Sequence, residues 1–434
     1  MKRRVKKLVF TKKEFPKIDE SYYEGTHASG LRVYVIPKNH GTSYAAFATK
    51  FGSIDNNFRL GGEEKALPDG IAHFLEHKLF ENEDGTDTFS RYAEYGGSAN
   101  AYTSSDSTVY LFSAADNVKE NLGILLDFVT HPYFTDETVQ KEMGIIGEEI
   151  RMYDDNPGWR LYFNLMRTMF RDNPVRIDTA GTEKTIAEIT PEKLFLAYKS
   201  FYNLHNMALV VCGSISPDDV AEVCDGYLPD TEVEKPIVER IYPDEQTAVF
   251  KKEIVQKMQV ASPMVNIGIK DAHNYLYGEE LAKRSAVYSI VLDVMFGRSS
   301  EFYTKYYEKG IVNSTFSASD DLHERFSYCI IGGNTDYPDE MCSAVFEEIE
   351  RFVKDGIPED DFERVKRKLY ALSIRVFNST DSIANSFLGF KFCGADLFDY
   401  PATIASVTLD EANALLREAF LPERFTVSKI LPLD

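Results

Sequence analysis

The chain has 434 residues and a formal net charge of −21, with 44% hydrophobic and 27% charged residues. This length is enough for about two to four domains, and the composition is that of an ordinary globular protein. The negative charge argues against a general nucleic-acid binder, and it favours basic partners or substrates unless it serves solubility alone.

The sequence predicts a cytoplasmic protein that associates with neither membranes nor nucleic acids. No apolar run reaches the length of a membrane-spanning helix, and the basic N-terminus lacks the apolar region of a signal peptide. Five cysteines, without any Cys-x-x-Cys pair, are typical of buried thiols in a reduced compartment.

Strands and helices alternate in the first half of the chain. Two strands at residues 31–37 and 44–50 are joined by a polar Asn-His-Gly turn, and a helix over residues 70–80 follows a Gly-containing loop. The other predicted elements are helices at residues 86–94, 118–130 and 135–153 and strands at residues 98–103 and 108–114. This order predicts an α+β fold with a layer of helices on a sheet.

The helix at residues 70–80 carries His73, Glu76 and His77 in the order His-x-x-Glu-His. Offsets of three and four residues place these side chains on one helix face. Two imidazoles one turn apart can bind a divalent metal such as zinc, and a carboxylate beside them can take a proton from the water that the metal activates. The alternative is a set of ordinary core histidines, but the pattern is the inverzincin motif and favours a metal centre.

A catalytic zinc usually has a third protein ligand, and the helix at residues 135–153 offers three glutamates. Glu142 and Glu149 are seven residues apart and share a face, whereas Glu148 points elsewhere. In the second half their equivalents are Val365 and Leu372, which we expect to be core residues. Carboxylates at core positions need compensation, so we predict Glu149 as a ligand and Glu142 as a supporting carboxylate that aligns a histidine or the ligand itself. The alternative is a solvated acidic face.

The two halves of the chain carry similar series of motifs on either side of a proline-rich, charged segment. We therefore predict an N-terminal catalytic domain at residues 1–228, a linker at residues 229–245 and a homologous C-terminal domain at residues 246–434. Each domain is expected to be a mainly antiparallel sheet covered on one face by helices. Asp293 and Val294 stand where the first half has Glu76 and His77, so the second domain cannot bind a metal in the same way.

Four segments together carry a family resemblance: His-Phe-Leu-Glu-His at residues 73–77, SANAYT at 98–103, EMGIIGEEI at 142–150 and YDDNP at 153–157. They resemble the pitrilysin or insulinase-type zinc peptidases, in particular the short bacterial, processing-peptidase-like members. The resemblance implies a zinc-dependent endopeptidase that hydrolyses peptides or small unfolded proteins. It implies one Zn²⁺ per chain held by His73, His77 and Glu149, with Glu76 as general base and Glu142 as a supporting catalytic glutamate.

The resemblance also implies how substrate and partner bind. The peptide is added as a strand in a clamshell chamber, along the edge formed by Ser98, Ala99, Asn100, Ala101, Tyr102 and Thr103. Short family members pair with a second subunit, so we expect a homodimer or a heterodimer with a paralogue that lacks the metal motif. The Arg and Tyr that clamp substrate in family members are replaced by Tyr306 and Asn313, so either a partner supplies this clamp or the chain alone is weakly active.

Two other functions compete with peptide hydrolysis. One is a non-catalytic structural subunit of a hetero-oligomer, although relatives of that kind typically lose the metal motif. The other is an acidic peptide-binding or chaperone module, which also fits strand addition. Metal content and a peptide-cleavage assay would separate these functions.

Overall fold

The computed structural model of the protein describes residues 8–273 and 275–433. Across these residues, no helix combines the length and the apolar character that are needed to cross a membrane. Four of the five cysteines are buried, and Cys393 is partly exposed.

The strands in the described residues are β1 Thr11–Phe15, β2 Glu20–Thr26, β3 Arg32–Pro37, β4 Ser43–Thr49, β5 Asn57–Leu60, β6 Glu63–Ala66, β7 Ser98–Thr103, β8 Thr108–Ala114, β9 Met207–Gly213, β10 Val238–Arg240, β11 Glu253–Met258, β12 Met264–Lys270, β13 Ser317–Leu322, β14 Ser327–Asn334 and β15 Phe425–Pro432. The four predicted strands correspond to β3, β4, β7 and β8, with limits that agree to within one residue.

The helices also begin and end within two residues of the predicted limits, where a prediction was made. They are α1 Ile71–Lys78, α2 Thr88–Glu94, α3 Val118–Thr130, α4 Asp136–Asp154, α5 Pro157–Met169, α6 Glu183–Ile186, α7 Pro191–Phe201, α8 Pro217–Tyr227, α9 Glu279–Phe296, α10 Glu301–Glu308, α11 Pro338–Asp355, α12 Glu359–Arg375, α13 Thr380–Phe392, α14 Tyr400–Ala405 and α15 Leu409–Ala419.

The first sheet has seven strands in the order β1-β2-β3-β9-β4-β8-β7. Strands β3 and β4 follow each other in the chain but are not paired, because β9 lies between them, parallel to β3 and antiparallel to β4. Every residue of β9 is buried, and a strand that is apolar on both faces belongs in the middle of a sheet. Strand β10, which lies in the predicted linker, pairs with β5 in a separate three-stranded sheet.

The second sheet repeats the topology of the first. Its five strands have the order β11-β15-β12-β14-β13, with β11 parallel to β15 and the remaining pairs antiparallel. The first sheet contains the same series as β3-β9-β4-β8-β7, and each series ends in an edge strand, β7 or β13. The predicted α+β fold with two related domains is therefore confirmed.

The chain forms two compact units, and each contains a short segment from the other half of the sequence. The first unit comprises residues 1–150, 178–241 and 376–392, and the second comprises residues 151–177, 242–375 and 393–434. Helix α13 thus packs on β4 and β9 in the first unit, and α5 packs on β11, β12 and β15 in the second. The predicted domain limits at residues 228 and 246 give each domain one continuous range of the chain. These limits stay a prediction.

Candidate metal centre and substrate edge

Helix α1 presents the histidine motif. It begins after Gly70, whose φ of 90° is left-handed, and a Cβ at this position would lie 2.4 Å from the carbonyl oxygen of Ala180. Glycine tolerates both conditions, so the chain can turn tightly into the helix. Ile71 and Phe74 are buried, and α1 packs against β7, β8 and α7.

The three predicted ligands lie together. Nε2 of His73 is 3.8 Å and Nε2 of His77 is 3.6 Å from Oε2 of Glu149 on α4. These distances are too long for hydrogen bonds. Tetrahedral ligands at about 2.1 Å from a zinc ion are roughly 3.4 Å apart, so the observed spacing suits a metal.

The environment of His73 also fits a ligand. Burial has the largest effect on this ring and, together with the neighbouring His77, lowers the pKa of His73 to about 4. The ring is therefore neutral at neutral pH, which is the form that binds metals. Its Nδ1 atom is buried and has no hydrogen-bond partner among residues 8–273 and 275–433. With Nδ1 buried away from any partner in the described part of the chain, Nε2 is the nitrogen of this ring that faces Glu149 and is available to a metal.

Glu142 orients the ring of His77 through a hydrogen bond at Nδ1. Its Oε1 atom is 3.0 Å from Nδ1 of His77, which leaves Nε2 of that ring directed at Glu149. Burial opposes the charged forms of both groups, but their hydrogen bond raises the pKa of His77 and lowers that of Glu142. A carboxylate that holds the outer nitrogen of a ligand histidine is the usual support of a zinc site.

Glu76 is buried next to the two histidines but lies outside the group of possible ligands. Its Oε2 atom accepts a hydrogen bond of 2.5 Å from Oγ1 of Thr103 at the end of β7. Burial is the largest effect and raises the pKa of Glu76 above its ordinary value, although the hydrogen bond from Thr103 opposes this rise. A carboxylate with a raised pKa accepts a proton more readily, which suits a general base.

The two edges of the seven-stranded sheet differ in character. Edge strand β1 carries Lys12, Lys13 and Glu14, and charges of this kind discourage the pairing of another strand. Edge strand β7 has the sequence SANAYT, without any charged residue, and alternates between exposed and partly buried residues. Of these two edges, β7, which the resemblance assigns to substrate, lacks the charges that discourage the pairing of another strand.

The hairpin that joins β7 to β8 shows which backbone groups of β7 point outward. The N–H of Ser104 donates to the carbonyl of Ser107 at 2.8 Å, so the backbone groups of Ser104 point toward the other arm of the hairpin. In an antiparallel pair of strands, residues whose backbone groups point toward the partner strand alternate with residues whose groups point away. The backbone groups of Ala99, Ala101 and Thr103 accordingly point away from β8. In agreement with this, the N–H of Ala101 donates to Oδ1 of Asn100 at 2.9 Å.

Sequence reasoning placed Thr103 in the substrate strand and missed its contact with Glu76. The two residues are 27 positions apart and lie on different elements, and no local pattern connects them. Only the packing of α1 against β7 brings the hydroxyl to the carboxylate.

Comparison with known proteins shows the family of the chain. Residues 61–183 match the family model described as insulinase (peptidase family M16), and residues 188–369 match the one described as the peptidase M16 inactive domain. A Bacillus subtilis protein named as the uncharacterised zinc protease YmfH is 40% identical over 423 residues, which cover 96% of this chain and 98% of that protein. The chain belongs to peptidase family M16.

Solved structures of M16 proteins share its fold. An M16-like peptidase from Alicyclobacillus acidocaldarius is 34% identical, with a TM-score of 0.92, and the alignment covers 99% of this chain and 100% of that one. A protease from Helicobacter pylori is 18% identical with a TM-score of 0.81, covering 95% and 99% of the two chains, which shows the fold alone.

The second half of this M16 chain lacks the histidine pair. Asp293, at the position of Glu76, pairs with Nζ of Lys368 at 2.7 and 3.0 Å. Val365 is buried as expected, but the prediction that Leu372 is a core residue is wrong, because Leu372 is 40% exposed on the outer face of α12. The equivalence with a core position therefore holds for Glu142, whose buried carboxylate is compensated by His77, and not for Glu149.

Tyr306 and Asn313, the positions where the resemblance implies a missing clamp, have structural contacts in the second unit. Tyr306 packs against Phe302, and the Nζ atom of Lys305 lies 4.8 Å from the centre of its ring. Oδ1 of Asn313 accepts from the backbone N–H and the hydroxyl of Thr315. Neither residue carries the guanidinium that holds a carbonyl or carboxylate bidentately.

Replacement of Glu142 by Gln is expected to weaken zinc binding about tenfold, because the amide accepts the hydrogen bond of His77 without the charge that strengthens it. Competition with a chromophoric chelator measures this affinity. Glu137→Gln, at an exposed position of the same helix, is the matched control and should bind zinc as the wild type does. Equal affinities in all three proteins would contradict the supporting role of Glu142.

Proposed function

We propose that this M16 protein is a zinc-dependent endopeptidase that cleaves peptides or small unfolded proteins. The observation that carries the proposal is the placement of two imidazole Nε2 atoms at 3.8 and 3.6 Å from one carboxylate oxygen of Glu149. A buried, non-ligand carboxylate, Glu76, stands on the same helix. Cleavage of a fluorogenic basic peptide by the zinc-loaded chain, and its loss on chelation, tests the proposal.

The residues of the site have separate tasks in the proposed reaction. Zinc, when bound by His73, His77 and Glu149, would lower the pKa of a water molecule and polarise the scissile carbonyl. Glu76 accepts the proton of the attacking water and returns it to the leaving amine. Thr103 holds the Glu76 carboxylate by a hydrogen bond, and Glu142 holds Nδ1 of His77 so that Nε2 of this ring stays directed at Glu149.

The open edge of β7 supports a substrate bound by strand addition. Outward N–H and C=O groups of Ala99, Ala101 and Thr103 can pair with the backbone of any extended peptide, so affinity depends little on sequence. The peptide must displace the side chain of Asn100 from the N–H of Ala101. Because Thr103 also touches Glu76, strand addition on this edge would carry the peptide bond past the proposed base.

Replacement of Ala101 by Pro is expected to raise KM about three- to tenfold, which is the effect of one lost hydrogen bond. Proline is tolerated at an edge strand where the N–H faces away from the sheet, so the fold should be kept. Steady-state kinetics measure the change, and Ala101→Ser, which keeps the N–H, is the control. An unchanged KM in the proline variant would argue against strand addition at this edge.

A non-catalytic structural or peptide-binding subunit is the second candidate. It is favoured by the absence of a clamp arginine at Tyr306 and Asn313, since a chain without a clamp could bind peptides and leave hydrolysis to a partner. Zinc bound together with turnover that Glu76 controls would exclude it. Zinc or peptide bound without any turnover, alone or with a partner, would favour it.

We further propose a cytoplasmic dimer, either of two identical chains or, preferably, with a motif-less paralogue that carries Arg and Tyr. Turnover should be slow for the chain alone and rise as the paralogue is titrated in, because the partner would supply the missing clamp. Cleavage of a basic peptide across the titration measures this. Full activity from a chain that light scattering shows to be monomeric at the assay concentration would contradict the proposal.

A further inference from the structure

We propose that Asn385 sets the side-chain preference of this peptidase by fixing the ring of Tyr102 as a wall of a subsite for large apolar or aromatic residues. The inference rests on the proposed function, since it requires a peptide strand on β7. Asn385 lies in the segment at residues 376–392, far in sequence from the metal motif, and it joins the first unit through α13.

The subsite lies on the face of β7 that is opposite to the metal centre. Successive residues of a strand point to opposite faces, so Tyr102 points away from the side where Thr103 meets Glu76. Tyr102 is 40% exposed, and a substrate could therefore contact it. In a strand added to β7, the residue across from Tyr102 would have its Cβ about 4.5–5.5 Å from that of the tyrosine.

Asn385 fixes this ring through a side-chain amide whose oxygen and nitrogen both form hydrogen bonds. Its Oδ1 accepts a hydrogen bond of 3.2 Å from the hydroxyl of Tyr102. Its Nδ2 donates to the hydroxyl of Tyr44 at 2.9 Å and to the carbonyl of Asp381 at 3.0 Å. A carbonyl can only accept, so this contact determines which end of the amide faces Tyr102. Burial raises the pKa of Tyr102 to about 12, so the hydroxyl keeps its proton at neutral pH.

Helix α13 holds Asn385 in place at both of its ends. Near its start, the hydroxyl of Thr380 donates to the carbonyl of Thr42 at 3.1 Å. Near its end, the ring of Phe387 packs edge-on against Tyr22 with centroids 4.9 Å apart, and Nζ of Lys391 donates to the Tyr22 hydroxyl at 3.0 Å. The amide is therefore presented from a fixed element, and the tyrosine ring gains a defined orientation.

The chemistry of the wall determines which side chains it selects. A fixed aromatic ring offers apolar surface and favours edge-to-face or offset contact with another ring, and a small side chain leaves that surface in water. Without the hydrogen bond, the ring is free to take other rotamers, and the surface that discriminates large from small side chains is no longer defined. Substrate preference should thus depend on the hydroxyl of Tyr102 and on Asn385 to the same extent.

The test is a series of alanine-based basic peptides in which a single Leu is moved one position at a time. At one position, on either side of the scissile bond, the wild type should cleave the peptide with Leu in preference to the peptide with Ala. Asn385→Ala and Tyr102→Phe should each reduce this preference, measured as a ratio of kcat/KM values, by about three- to tenfold. The double variant should show no further loss of the Leu preference, since each single change already removes the hydrogen bond between Tyr102 and Asn385.

Two controls separate the subsite from general damage. Tyr95→Phe removes the hydroxyl of a tyrosine that is 39% exposed and directly follows α2. Ser386→Ala changes the neighbour of Asn385 on α13, and both variants should keep the Leu preference and the zinc content. Unequal or additive effects of Asn385→Ala and Tyr102→Phe, or an unchanged preference in either, would overturn the inference. If the wild type shows no turnover, the proposed function fails, and binding of the same peptides by fluorescence anisotropy still ranks the side chains.

Discussion

Glu76→Gln is expected to lower kcat for peptide cleavage about 100- to 10,000-fold, the range that general-base catalysis contributes. The amide keeps the volume of the buried side chain and can still accept the hydrogen bond of Thr103, so the fold should be unchanged. It cannot take a proton from water, and the chemical step is lost. Because Glu76 lies outside the group formed by His73, His77 and Glu149, the variant should keep its zinc.

The matched control for this variant is Asp293→Asn at the corresponding position of the second unit. Asp293 pairs with Lys368 on the protein's own α12, so its replacement should leave kcat close to that of the wild type. Stopped-time assays of a fluorogenic peptide, zinc content and thermal unfolding of all three proteins provide the comparison. Near-wild-type cleavage by Glu76→Gln would remove the general-base role and leave the metal centre without a proton acceptor.

Replacement of a metal ligand should have the second large effect, a loss of affinity for zinc. The wild type is expected to bind about one zinc per chain. Loss of a residue that only supports a ligand lowers metal affinity about 10- to 100-fold. His77→Ala and Glu149→Gln should each lower the zinc affinity by more than this. Each change removes one of three donors whose atoms all lie within 4.8 Å of one another. Metal analysis after dialysis, followed by competition with a chelator, measures both effects.

Glu148→Gln is the control for the choice between adjacent glutamates. Glu148 is exposed on α4, whereas Oε2 of Glu149 is near both imidazoles, so Glu148→Gln should retain its zinc. If Glu148→Gln lost zinc and Glu149→Gln kept it, the third ligand would be misassigned. Equal zinc in His77→Ala and the wild type would contradict the centre as a whole.

The local sequence was sufficient to predict the elements around the histidine motif. Apolar residues at helical spacing and the offsets of His73, Glu76 and His77 depend only on neighbours along the chain, and these predicted α1 and its polar face. Alternating residues and turn signals likewise predicted β7 and β8 with the bounds that the structure has. The choice of Glu149 over Glu148 followed from helical periodicity and agrees with the observed distances.

Only the tertiary structure decided which distant segments meet. The place of β9 between β3 and β4, the hydroxyl of Thr103 on Glu76, and the approach of Asn385 to Tyr102 each join residues far apart in the chain. The error at Leu372 has the same origin, because helical periodicity shows which residues share a face but not whether another element covers that face. Local propensity fixes an element, whereas burial of one element against another depends on the free energy of the whole arrangement, which no single stretch of sequence contains.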